Sequence, residues 1–228
     1  MTNKNAELVD WALANLKQPA QYSKKYDELA NLTIIMPTFK RQEYVIRLIA
    51  YLSAFKVNLI IVDGSPEGID IKLSAALAAK PRVSYYHRVT SLPERVQFAN
   101  QLVETDFVML MADDDFYLPT GLVAAMTALA DSPSAVACMG QSVGLDVDSS
   151  GRPYFFGYGG SLQSYSVQHH SPMERVRIGI RNYRSAASYA VFKASGFNSI
   201  WTGIESSSCP EHLEYEHAIR TYLEGGLV

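Results

Sequence analysis

Between residues 32 and 139 the chain alternates short apolar runs with stretches patterned for helices, and this alternation restricts the fold more than any other feature. The runs are Leu32–Met36 (ended by Pro37), Val57–Val62, Val83–Tyr86, Phe107–Met111 and Ala135–Met139. Such short, largely apolar runs fit strands buried on both faces. Residues 41–54 place Tyr44, Val45, Leu48, Ile49 and Leu52 on one face, the stripe of an amphipathic helix. Residues 69–79, 93–103 and 120–130 also read as helices, with Pro93 suited to a first turn. Strands and helices in such regular order imply an α/β fold with a mostly parallel sheet and crossover helices.

The texture changes after Gly140. Residues 141–172 are rich in Gly, Ser and Tyr, with a turn at Asp148-Ser149-Ser150-Gly151, and predict an irregular or hairpin region. A further strand is expected at Tyr189–Phe192 and a helix over 210–224. Residues 5–29 read as helical with a break near Pro19 and Trp11, Leu13, Leu16 and Tyr22 as anchors. This divides the chain into a helical appendage (1–30) and one large α/β domain (31–228), the latter with halves at 31–140 and 141–228.

The 228 residues are 48% hydrophobic and 19% charged, ample material for a core. A net charge of -3 argues against nucleic acid as a partner, because phosphate neutralisation needs clustered Lys and Arg. Cys138 and Cys209 form no C-x-x-C pair, which disfavours a disulfide framework or zinc site and makes a reducing, cytoplasmic setting the expectation. With Lys4, Glu7 and Asp10 the N-terminus does not resemble a signal peptide. No 18-residue apolar stretch is available to span a bilayer, so any membrane association would be peripheral, at the inner face.

Chemistry concentrates where the apolar runs end. Phe107–Met111 leads into the consecutive carboxylates Asp113, Asp114 and Asp115. Adjacent like charges repel, and hard divalent cations prefer carboxylate oxygens. The plainer alternative is a solvated acidic loop with Asp115 or Thr120 near the next N-cap. Pro37-Thr38 and Asp63-Gly64-Ser65 end the first two runs. In a parallel sheet all three sites share one edge, where open α/β folds bind ligands. Neither a G-x-x-x-x-G-K-[ST] phosphate loop nor a G-x-G-x-x-G fingerprint is present, so a metal is the natural way to hold phosphates.

Three segments, Thr33-Ile34-Ile35-Met36-Pro37-Thr38-Phe39-Lys40-Arg41, Ile61-Val62-Asp63-Gly64-Ser65 and Met111-Ala112-Asp113-Asp114-Asp115-Phe116 with Pro119, together resemble a family 2 glycosyltransferase. The resemblance is strongest over residues 31–140. It implies a GT-A fold, a nucleotide-sugar donor (usually a UDP-sugar), Mn2+ or Mg2+, and inverting transfer to a glycan, lipid-linked or other hydroxyl acceptor, commonly in cell-surface polysaccharide synthesis. By position, Pro37 and Thr38 would line the nucleoside pocket and Asp63 would bind the base. Arg95 would reach the phosphates, while Asn100 matches a family position or serves as a cap. Asp113 would approach the ribose or metal, and Asp114 or Asp115 would ligate the metal. Ala112 stands where the family often has Asp, leaving open whether Asp113 or Asp114 pairs with Asp115.

The resemblance also implies a late acidic base near a helix start. Glu205, Glu211, Glu214, Glu216 and Glu224 are available, and Glu214 followed by Glu211 are the leading candidates. Both could equally be N-terminal acids that complement the helix dipole. His169-His170 offer a further metal ligand or an exposed loop pair, and Tyr154, Phe155, Phe156 and Tyr158 offer sugar-stacking faces or loop packing. Arg175, Arg177, Arg181 and Arg184 offer a phosphate-binding cluster or a solvated face. Two rival readings fit the same residues. One is a non-catalytic nucleotide-sugar-binding module. The other is a sugar-nucleotide nucleotidyltransferase, disfavoured because the loop after Pro37 lacks glycine.

Overall fold

The structure, a computed structural model, describes residues 9–14, 24–157, 165–207 and 209–228. A helical segment at 9–14 (α1) and a 3-10 helix at Lys24–Asn31 precede the sheet. Strands β1 (Leu32–Thr38), β2 (Asn58–Asp63), β3 (Val83–His87) and β4 (Phe107–Leu110) alternate with helices α2 (Gln42–Leu52), α3 (Ile71–Ala78) and α4 (Leu92–Asn100). Helix α5 (Pro119–Asp131), strand β5 (Ala135–Cys138) and the hairpin β6 (Val143–Val147) and β7 (Pro153–Gly157) follow. The chain continues through α6 (Pro172–Arg181), a 3-10 turn at Ser185–Tyr189, β8 (Val191–Lys193), α7 (Ala194–Trp201), α8 (Pro210–Glu224) and β9 (Gly226–Leu227).

Seven strands form one sheet in the order β3-β2-β1-β4-β8-β5-β9. All neighbours are parallel except β8, which is antiparallel to both β4 and β5. The two-residue period of a strand splits its apolar side chains between two cores. Ile34, Met36, Leu59, Ile61 and Met109 face α2, α3 and α5. Ile35, Ile60, Val62, Val108 and Leu110 face α4, α7 and α8. This double burial explains why the runs are largely apolar rather than alternating.

Pro37 does not end β1, contrary to the sequence expectation; it pairs in register with Val62 and the strand continues to Thr38. Ile35 already accepts from the Met111 N–H on the β4 side, so Pro37, two residues on, has its missing N–H pointing past the end of β4. No ladder bond is lost there. The expected strand at Tyr189–Phe192 begins instead at Val191, after the 3-10 turn. Helices α6 and α7 and the short β9 are additional elements.

In the N-terminal segment Ala12 and Leu29 join the core of the main domain, whereas the expected anchor Trp11 is 48% exposed. Leu16, Pro19 and Tyr22 lie outside the described residues.

Two connections matter for the site. Antiparallel β8 returns the chain to the edge where the parallel strands begin, so α7 climbs back to the edge where they end. Helix α8 then descends: Gly226 N–H donates to Ser134 O beside the start of β5, and β9 pairs parallel to β5. Its 15 residues span about 22 Å, and the N-terminal turn of α8 therefore stands at the C-terminal edge of the sheet.

Candidate active site

Thr38 and Asp63 are register partners at the ends of β1 and β2, and the chain leaving β4 brings Asp113 beside them. The Thr38 hydroxyl donates to Asp113 Oδ2 at 2.6 Å. Asp113 is 5% exposed and Thr38 2% exposed, so this is a buried, charge-assisted bond. Asp113 Oδ1 receives Arg41 Nη1 at 3.1 Å, and the same nitrogen lies 2.8 Å from Asp114 Oδ2. The hydrogen bond that Arg41 donates to Asp113 and the charge of Asp114 raise the Arg41 pKa above its ordinary value. Arg47 donates to the backbone carbonyl of Asp114 at 3.2 Å. Desolvation, followed by the charges of Asp114 and Asp113, raises the Asp115 carboxyl above the usual carboxylate range.

Asp63 is fully buried. Its carboxylate accepts from Ser65 N–H (2.8 Å), the Tyr85 hydroxyl (2.7 Å) and Gln42 Nε2 (3.1 Å). Burial and the Asp63 charge keep the Tyr85 phenol protonated well beyond its usual range. Ser65 Oγ accepts the Lys40 N–H at 2.7 Å, and Lys40 has φ 57, the left-handed conformation that turns the chain sharply toward α2. Asp63 thus shapes the loop that presents Arg41.

Arg95 lies beneath the same strand ends, 7% exposed, and donates to Thr38 O at 2.6 Å and Val62 O at 3.2 Å. Burial lowers its pKa from the usual guanidinium value, against the charge of Asp63. It braces two strand-end carbonyls, with its guanidinium directed at backbone rather than solvent. Asn100, at the other end of α4, donates to Asn198 Oδ1 at 2.6 Å and ties α4 to α7.

Glu211 and Glu214 sit in the first turns of α8, at the same sheet edge as the aspartates. Glu214 accepts from the Tyr183 hydroxyl at 3.1 Å; burial first, then the Glu214 charge, hold that phenol protonated. A backbone bond and the Cys209 thiol, 3.1 Å away, lower the pKa of Glu211. Glu205 and Glu216 line a recess of about 250 Å3 with Gly203, Ser206, Ser207 and His212. Glu216 is paired with Arg220 at 2.8 Å. Glu224, bonded to Ser199, is at the far end of α8, away from this edge.

The remaining sequence candidates separate. Arg175 is 8% exposed and donates to Tyr222 O, Leu223 O and His169 O, closing the end of α8 instead of facing a ligand. Arg177 pairs with Glu174, and Arg184 lies over the Tyr165 ring. These contacts correct the idea of a joint phosphate-binding cluster. His169 and His170 stack on each other in an exposed loop, and His169 Nδ1 accepts from Ser171 N–H. On the hairpin Tyr154, Phe155 and Phe156 are exposed, Phe155 by 73%, while the Phe156 ring also packs on Gly144 and beside Tyr154. Tyr158 lies outside the described residues.

The glycosyl transferase family 2 profile matches residues 33–190, which include the ends of β1, β2 and β4. The chain belongs to this family. Among solved structures, S. aureus TarS 1-349 superposes with a TM-score of 0.59 at 14% identity, over 87% of this chain and 58% of that one. That likeness supports the GT-A fold, and the chain spans less than two thirds of the TarS chain. No curated protein matches. As a family 2 chain it carries the acidic motif with Thr38 and Arg41 built into it; Arg41 closes the first resembling segment, but its contact with the aspartates was not expected. Its signal was present, a cation shortly after a strand end, but only the fold shows that it reaches Asp113 and Asp114.

The fit to a divalent ion depends on which oxygens are open. Asp113 has Thr38 on one oxygen and Arg41 on the other, and Arg41 also holds one oxygen of Asp114. Asp114 Oδ1 and both Asp115 oxygens have no hydrogen-bond partner among the described residues. No group of three or more His, Cys, Asp or Glu among those residues is arranged around a common metal position. Two open carboxylates suit an ion of the Mg2+ or Mn2+ kind, which keeps waters and completes its shell with substrate phosphate oxygens. The donor set therefore fits a metal that arrives with a diphosphate.

Proposed function

We propose that this protein transfers a sugar from a nucleotide donor, UDP-linked by preference, to a hydroxyl acceptor with inversion at the anomeric carbon. The carrying observation is the convergence of Thr38, Asp63 and Asp113–Asp115 at one sheet edge, with the first turns of α8 on the same edge. In this reading Pro37, Thr38 and the Asp63 turn border the nucleoside, and the acidic motif faces the ribose and diphosphate. Asp114 and Asp115 would hold Mn2+ or Mg2+, with Asp113 oriented by Thr38. When bound, the ion supplies positive charge to the diphosphate leaving group.

Glu214, or alternatively Glu211, removes the proton of the acceptor hydroxyl as that oxygen attacks the anomeric carbon. The bond from the anomeric carbon to the diphosphate oxygen breaks in the same displacement, and the electron pair leaves on the diphosphate. The Tyr183 hydroxyl orients Glu214. Arg95 contributes by fixing the carbonyls of Thr38 and Val62, which keeps the strand ends in place. The apolar hairpin face and the recess beside α8 offer room for a glycan or lipid-linked acceptor of cell-surface polysaccharide synthesis. Among the described residues no helix is long and apolar enough to cross a membrane; a cytoplasmic setting, free or at the inner membrane face, is the proposed one.

Calorimetric titration with UDP and Mn2+ tests the donor site. Binding by the wild type that is lost in Asp114→Ala and Asp115→Ala is expected. Absence of UDP binding, or binding indifferent to both substitutions, refutes the assignment.

A further inference from the structure

We infer that Arg41 is the resident counter-ion of the acidic motif, weakening the binding of a free divalent ion and moving onto the diphosphate when donor and metal arrive together. This rests on the donor-site reading above. One nitrogen, Nη1, bridges two carboxylates, at 3.1 Å from Asp113 Oδ1 and 2.8 Å from Asp114 Oδ2. That is the position a small cation shared by the two residues would take. No other side chain makes an ion pair with Asp113, Asp114 or Asp115 among the described residues. A divalent ion on the open oxygens of Asp114 and Asp115 would stand beside this guanidinium charge, so Arg41 opposes it by repulsion.

The geometry also allows Arg41 to move. Its side chain is 51% exposed, and Nε and Nη2 have no hydrogen-bond partner among the described residues. A guanidinium has five donors in a fork that matches phosphate as well as carboxylate. The backbone at Arg41 is anchored independently of its side chain, which touches only the two carboxylates and the Tyr44 ring among the described residues: Lys40 N–H is held by buried Ser65, and the Arg41 carbonyl accepts from Tyr44 N–H at 3.0 Å. Asp113 keeps its orientation without Arg41, because Thr38 holds the other oxygen. Departure of Arg41 would free one oxygen on each of two carboxylates without disordering the buried one. A diphosphate brings negative charge to both the metal and the guanidinium, which removes the competition between them. Metal binding without nucleotide is then weak and metal binding with nucleotide strong.

The test compares wild type, Arg41→Ala and Arg41→Gln, with thermal melts as a check of folding; the glutamine variant serves if the alanine variant is unstable. Free Mn2+ is followed by electron paramagnetic resonance in titrations with Mn2+ alone, and UDP binding is followed at saturating Mn2+. Loss of the competing cation should tighten binding of Mn2+ alone by about tenfold, within the usual range for coupled binding events. The same variant should bind UDP more weakly in Mn2+ than the wild type does. Mn2+ affinity that is unchanged or reduced in the folded variant overturns the counter-ion role. Unchanged UDP affinity overturns the transfer of Arg41 to the diphosphate. If the wild type binds no UDP, the donor assignment fails, while the response to Mn2+ alone still decides what Arg41 does.

Discussion

Acidification should loosen the helix that carries the candidate base, and His217 sets the size of the effect. His217 lies on α8 one turn below Glu214, 2% exposed, with its ring against Phe192 and Trp201 at centroid distances of 5.6 and 5.1 Å. Its Nε2 and the neighbouring Trp201 Nε1 are buried without a hydrogen-bond partner. Burial pushes the imidazole down from 6.5 to about 4. The native state therefore keeps His217 neutral at pH values where the unfolded chain protonates it. The unfolded state binds more protons in that window, so stability rises with pH. The stabilisation is complete above pH 6.5, declines as pH falls below it, and stops declining near pH 4. At about 1.4 kcal/mol per pH unit, this one group costs about 2 kcal/mol at pH 5 and about 3 kcal/mol at pH 4. Urea denaturation of wild type and His217→Leu at pH 7.5 and pH 5 isolates it, since the other titrating groups are common to both. The wild type should lose about 2 kcal/mol more than the variant over that interval. Parallel losses would show that His217 is not buried neutral and would refute the reasoning.

Three further outcomes are expected. Thr38→Val removes the buried donor to Asp113, which should cost about 1.5–3 kcal/mol in chemical denaturation and weaken UDP binding; an unchanged midpoint would contradict the 2.6 Å bond. Gly64→Ala would put a Cβ 2.7 Å from the Arg95 guanidinium carbon, and displacing that brace should destabilise by about 1–3 kcal/mol, read as a lower melting temperature. Glu214→Gln should lower sugar transfer by about 10²–10⁴-fold while UDP affinity stays at the wild-type level; if Glu211→Gln alone does this, Glu211 is the base.

The parallel strands were legible because burial on both sheet faces leaves a largely apolar signature, as in Leu32–Met36 and Phe107–Met111. Helix α7 was missed: it is short, its Gly196, Phe197, Ile200 and Trp201 are buried, and its flanks have no capping side chain that bonds to it. Pro37 misled because a proline usually marks a strand end, whereas here the neighbouring strand had already stopped. Arg95 and Arg175 looked like ligand-binding cations, and sequence has no means of distinguishing a guanidinium aimed at phosphate from one closing backbone carbonyls.

The sequence by itself determined the α/β alternation, the ends of β1, β2 and β4 as the chemical edge, and family 2 membership. These are local properties, carried by periodicity and by short motifs. Tertiary structure alone decided which oxygens are engaged. Arg41 reaches Asp113 and Asp114 across 72 and 73 residues, Thr38 meets Asp113 across 75, and Asp63 is closed over by Tyr85 and Gln42. A carboxylate's availability depends on what packs against it, and in a parallel sheet the packing partners come from strands far apart in the chain.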